Sequence, residues 1–297
     1  GFGEAEGEYR RAVAGCAEAA SSSPFDASEG VLDVRRSVLV IFAMGDCQGW
    51  SPAQSVVFPH HRLNPKAGKY ARFFLENDPM TGTTRDYRRR QGALWLLAFT
   101  GDEDSVPFVD RYIQAWVESG SHIDHQVPGW STLAHCMGAF GGAAIERDLP
   151  GARAFVEKYS RVGSWLKDDK NPDSEAFSHG VHGCKKFVEA AFVYSHAEFI
   201  RPYLDQKIPG TDHRLVAKSS VETHENLPYA YYPELMKPHP IPAKYEGYYE
   251  ACFAKHVNEI DTLIARADGQ PLPEQPAGTG EKPTPGTDDR SRDRDAL

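Results

Sequence analysis

The stretch Tyr87–Val117, YRRRQGALWLLAFTGDEDSVPFVDRYIQAWV, decides how the chain is read. It holds two amphipathic patterns that meet at the acidic turn Gly101-Asp102-Glu103-Asp104. The first ends in the apolar run Ala93–Phe99. The second sets Val106, Val109, Ile113, Trp116 and Val117 at steps of three and four, with Phe108 and Tyr112 beside them. That spacing traces one face of a helix with 3.6 residues per turn. The unit reads as an αα-hairpin, and weaker copies of it follow.

The remaining composition fits that start. The 297 residues suffice for one large helical domain or two ordinary ones. Apolar residues make up 40% and charged residues 25%, enough for a packed core. A net charge of −9 argues against a nucleic-acid backbone as partner, because that partner needs a basic stripe. No run of 18 apolar residues occurs, so no membrane span is expected. The chain opens at Gly1 rather than Met, so any targeting peptide is expected to be absent from it. The five cysteines, 16, 47, 136, 184 and 252, are odd in number and without a CxxC pair, which suits buried free thiols rather than a disulfide framework.

Taken in order, residues 1–20 carry helical spacing, broken by Ser21-Ser22-Ser23-Pro24. Val31–Met44 is a buried element, helix or strand, since Val38–Phe42 is β-branched and aromatic. A short helix is expected around Tyr70–Leu75. After the opening hairpin, Ser131–Glu146 pairs with Ala152–Leu166, and Val181–Tyr194 pairs with Ala197–Leu204. Residues 205–248, rich in proline and tyrosine, read as a long ordered loop or lid. Tyr245–Ala267 is the last helix, with Phe253, Val257, Ile260 and Ile264 at helical steps. The tail, 269–297, is expected to be disordered. The organisation is therefore an N-terminal region, 1–83, a helical-hairpin domain, 84–268, and the tail. The fold class is all-α.

Matching Phe108, Phe155 and Phe199 gives spacings of 155 − 108 = 47 and 199 − 155 = 44 residues. With GDEDSVPFVDRYI at the turn and second helix, Arg85–Leu204 resembles HEAT-type repeats, whose period is about 40–47 residues. That resemblance implies a solenoid that binds a protein or peptide. Gly49-Trp50, Gly129-Trp130 and Gly183-Cys184 open helical patterns in a way similar to closed α/α toroids of the terpene-cyclase type. That second resemblance would imply an enzyme with a central pocket. A third covers SVLVIFAMGDCQGWSPAQSVVFP, which resembles the strand, reactive cysteine and helix of a thioredoxin-like protein around Cys47, although Trp50 stands where a second cysteine would be.

Chemistry-bearing residues gather in two places. Ser121-His122-Ile123-Asp124-His125 holds two imidazoles and a carboxylate, and His179-Gly180-Val181-His182-Gly183-Cys184 holds two imidazoles and a thiol. Glycines in both suggest loops before a hairpin's first helix. Stacked hairpins would bring such loops to one edge, so His122, Asp124, His125, His179 and His182 are the candidate metal ligands, suited to zinc or iron. No H-E-x-x-H, nucleophile elbow, phosphate loop or dinucleotide fingerprint occurs. Arg88-Arg89-Arg90 reads as a solvated charge run, and His135 as a core residue. The leading expectation is a non-catalytic binding or scaffold module, with a metal-dependent enzyme as the alternative.

Overall fold

A computed structural model describes residues 32–45, 63–77, 84–120, 130–166, 174–195, 197–226 and 243–272. Numbered over these residues, the helices are α1 (Val34–Gly45), α2 (Gly68–Glu76), α3 (Thr84–Thr100), α4 (Ser105–Ser119), α5 (Trp130–Glu146), α6 (Ala152–Tyr159), α7 (Glu175–Ser195), α8 (Arg201–Leu204), α9 (Lys218–Asn226) and α10 (Ala243–Ala267). Short 3₁₀ turns occupy Pro65–Ala67 and Val162–Trp165. Among the described residues there is no strand, only the single antiparallel bridge Lys207–Arg214. The chain is all-α.

The helices α3, α5 and α7 pack side by side in chain order, and α6 packs back on α5. The helices α5 and α7 are parallel. Gly138 faces Phe187 and Gly142 faces Ala191, an offset of 187 − 138 = 49 residues that recurs as 191 − 142 = 49. At the far end of the row, Phe99 of α3 meets Tyr194 of α7 with ring centroids 6.4 Å apart. Behind this row, α4 and α6 form a second layer. Asp110 of α4 accepts hydrogen bonds from the Tyr159 hydroxyl at 2.7 Å and from Lys158 Nζ at 2.6 Å, which joins the second helices of successive hairpins.

Residues of α1 and α2 belong to the same core cluster as the hairpins. The apolar run of α1 is helical, and Ser37–Ala43 is buried without a break. A helix that is apolar all round must be covered all round, and α1 is packed against both α3 and α10. The β-branched residues there are accommodated because burial outweighs their weak helix preference.

Several sequence expectations are corrected. The pattern Ala152–Leu166 is not one helix: α6 stops at Tyr159, and the chain turns so that the Trp165 indole donates to the Tyr159 carbonyl at 2.7 Å. That bond satisfies a carbonyl the helix end leaves open. Ala197–Leu204 shrinks to the one-turn α8. The proposed loop 205–248 contains α9. The charge run at the start of α3 is not a solvated face, because Arg90 is 1% exposed with its guanidinium over the Tyr87 ring, and Arg89 pairs with Glu259. Residues 1–20 and the tail beyond Leu272 lie outside the described residues.

Glycine decides the α5–α7 crossing. A Cβ on Gly138 would lie 2.2 Å from the Phe187 carbonyl oxygen, and one on Gly142 would lie 2.6 Å from that of Ala191. Gly138→Ala therefore forces the helices apart and is expected to cost about 1–3 kcal/mol. Gly163→Ala, where nothing lies within 4 Å, leaves stability unchanged. Urea unfolding of the two variants checks the contrast. Ile113, fully buried in α4, is expected to cost about 2–5 kcal/mol on truncation to Ala by the same measurement.

Candidate functional site

The longest of the parallel helices, α7, carries the site. Its apolar side is spent on packing: Cys184, Phe187, Val188 and Ala191 are fully buried. Phe187 sits within 5.7–5.8 Å, centroid to centroid, of Phe155, Tyr159 and Trp165. The opposite side repeats polar groups at helical spacing, His179, His182, Lys186 and Glu189, with Lys185 alongside. The histidines and lysines are half-buried, while Glu189 is 6% exposed. Lys186 Nζ lies 3.1 Å from Glu189 Oε2, and Lys185 Nζ lies 3.9 Å from Oε1. A buried carboxylate is tolerable here because it is ion-paired and hydrogen-bonded.

This placement corrects the expected loop around His179 and His182. Both lie inside α7, which begins six residues before the expected Val181. The glycines that suggested a loop serve close packing instead. A Cβ on Gly183 would lie 3.0 Å from the Trp165 ring, and one on Gly180 would lie 2.3 Å from the Leu166 side chain. Cys184 does not join the histidines. It is buried in the core with its thiol 3.8 Å from the Tyr159 carbonyl, and burial pushes that thiol up. Cys136 and Cys252 are likewise buried.

His122, Asp124 and His125 lie outside the described residues, as does Cys47. Among the described residues, no group of three His, Cys, Asp or Glu side chains is arranged to hold a metal ion. Val38–Phe42 belongs to a helix, so the strand required by the thioredoxin-like resemblance is replaced there. His135 is half-buried on α5 rather than sealed in the core.

A second polar centre went unnoticed in the sequence. His256 on α10 is fully buried, with Nδ1 2.6 Å from Glu259 Oε2 and its ring stacked on Phe42 at 6.0 Å. Arg89 of α3 donates to the other Glu259 oxygen and covers Phe42 with its guanidinium 5.0 Å from the ring centroid. Burial pushes the Glu259 carboxyl up, but His256 and Arg89 together pull it below the ordinary carboxylate range. The i, i+3 spacing of His256 and Glu259 was visible in the sequence; the partner on α3 was not.

No protein-family model, curated protein or solved structure matches the chain. Among the described residues, no helix is long and apolar enough to cross a membrane.

Burial, followed by the Lys186 and Lys185 ammonium groups, holds the His182 imidazole below the usual histidine range. The unfolded chain therefore takes up that proton first, and stability falls as pH drops below about 6.5. In His182→Gln the loss on going from about pH 7.5 to about pH 5.5 is expected to be smaller than in the wild type. Urea midpoints at the two pH values measure the difference, and equal losses reject it.

Proposed function

We propose that the chain is a binding module of stacked helical hairpins, HEAT-like in organisation, with the polar face of α7 as its ligand-contacting surface. The observation that carries this reading is the asymmetry of the row. On α3 and α5 the central stretches are almost wholly buried, whereas α7 keeps His179, His182, Lys185 and Lys186 half-exposed at successive turns. The α3 end of the row is covered by α1, on which α10 packs in turn. A covered α3 end and a polar face on α7 suit an open stack, in which hairpins present extended surfaces to peptides and proteins. Two lysines and two imidazoles suit an acidic peptide segment, whose carboxylates accept charge-assisted hydrogen bonds.

The test is fluorescence anisotropy with a labelled Glu-rich peptide and a Lys-rich control. Binding of the acidic peptide alone, weakened by salt and lost in Lys185→Glu, is expected. Equal binding of both peptides, or no binding, rejects the reading.

The second reading is a metal-dependent enzyme, with His179 and His182 supplying two ligands and His122, Asp124 and His125 the others. The α5–α7 register favours it, because the offset sets Trp130, where the 121–129 segment ends, opposite His179. Calorimetric titration with zinc distinguishes it: saturable binding that disappears in His179→Ala/His182→Ala supports a metal centre, and no heat removes it.

A further inference from the structure

The interface between α10 and the start of the chain is built differently from the rest of the fold. Along α10, Cys252, His256, Ile260 and Leu263 are buried at steps of four, four and three, a narrow ridge on one face. Acidic groups flank that ridge, and each meets a basic side chain on a different helix. Asp261 takes both nitrogens of the Arg35 fork on α1, at 2.7 and 2.6 Å. Glu259 pairs with Arg89 on α3. Asp268, just beyond the helix, accepts from Lys69 at 2.6 Å and from the Tyr70 hydroxyl at 3.1 Å, both on α2. The Arg35 and Arg36 guanidiniums also lie 5.8 and 5.1 Å from the centroid of the Phe253 ring.

These contacts join residues 226, 170 and 198 positions apart for Arg35–Asp261, Arg89–Glu259 and Tyr70–Asp268. The helices beneath do not depend on α10 to find one another. The α1 and α3 helices share an extensive apolar contact of their own, and α2 packs across α3. Over them α10 lies in a groove, packed on α1 and α2, with His256 stacked on Phe42 and Arg35, Lys69 and Arg89 meeting its carboxylates. An apolar ridge on a helix laid into such a groove is a common way for one protein to recognise a helix of another. Bidentate arginine pairing adds orientation to the apolar contact.

We infer that the groove formed by α1, α2 and α3 is a recognition surface for an acidic amphipathic helix. The α10 helix is its occupant within the chain, and a helix of a partner protein with the same apolar ridge and flanking carboxylates competes for it. This assignment stands on the α10 contacts alone and does not depend on the role proposed for α7.

Hydrogen exchange on the full chain tests the first part. In Glu259→Gln/Asp261→Asn, amides of α10 are expected to exchange roughly tenfold faster or more, the scale of losing charge-assisted hydrogen bonds. Amides of α5 and α7 keep their wild-type rates. Exchange of α10 in step with α5 and α7, in this variant and in the wild type alike, overturns the proposal, since α10 would then be inseparable from the core. Binding in trans tests the second part. A labelled peptide of residues 243–272 is expected to bind the full-length Glu259→Gln/Asp261→Asn protein more tightly than the wild type, whose own α10 is held more firmly. Adding Arg35→Glu to that protein abolishes binding, and a peptide carrying Asp261→Arg restores it. Absence of binding to the variant, or binding indifferent to the charge at position 35, overturns the proposal.

Discussion

The backbone-to-backbone approach of α5 and α7 is the contact on which the rest of the packing depends. Ordinary helix pairs stand about 8–10 Å apart, separated by their side chains. At Gly138 and Gly142 there is no side chain to act as a spacer, so α5 rests on the carbonyl edge of α7. That closeness extracts the most dispersion from two helices that are otherwise rich in alanine and glycine. It also fixes their register, since sliding either helix by one residue would set a Cβ against a carbonyl oxygen. With the register fixed, Phe187 projects into the centre of the aromatic cluster of Phe155, Tyr159 and Trp165, which carries the second layer.

Polar groups act in this fold as joints between apolar blocks. Asp110 gathers the Tyr159 hydroxyl and the Lys158 ammonium at the seam between α4 and α6, and burial together with that carboxylate pushes the phenol up. The Trp165 indole closes the end of α6 on the Tyr159 carbonyl. Glu259 ties α10 to α3 through Arg89. Each joint satisfies groups that would be costly to bury unpaired, and those of Asp110 and Glu259 link helices far apart in sequence. On the polar face of α7, Lys186 and Lys185 pair with the buried Glu189 along the same helix, and the histidines and lysines remain half-buried.

The same economy explains the position of that polar face. Gly180, Gly183, Cys184 and Phe187 commit one side of α7 to Trp165, Leu166 and α5. The remaining side carries His, Lys and Glu at helical spacing. A helix 21 residues long with one face consumed by packing can hold an uninterrupted row of such groups across several turns.

The sequence by itself determined the all-α class and the place of most of the described helices. Steps of three and four in Val106–Val117 mark the face that is buried, because that periodicity is a property of the helix alone. In α10, by contrast, the buried ridge is Cys252, His256, Ile260 and Leu263, and Phe253, Val257 and Ile264 of the expected face are only half-buried. The sequence also marked His179 and His182 as a polar cluster. What it could not supply is what a glycine or an arginine means. Gly180 and Gly183 read as loop formers because glycine disfavours helices in isolation, yet they lie within α7 where Trp165 and Leu166 need the room. Arg89 and Arg90 read as solvated because charges avoid interiors, yet Tyr87, Phe42 and Glu259 cover them. In both cases the deciding atoms come from another part of the chain, and local periodicity carries no record of them. Tertiary structure alone decided those positions, because close approach and ion pairing are properties of pairs of elements rather than of segments.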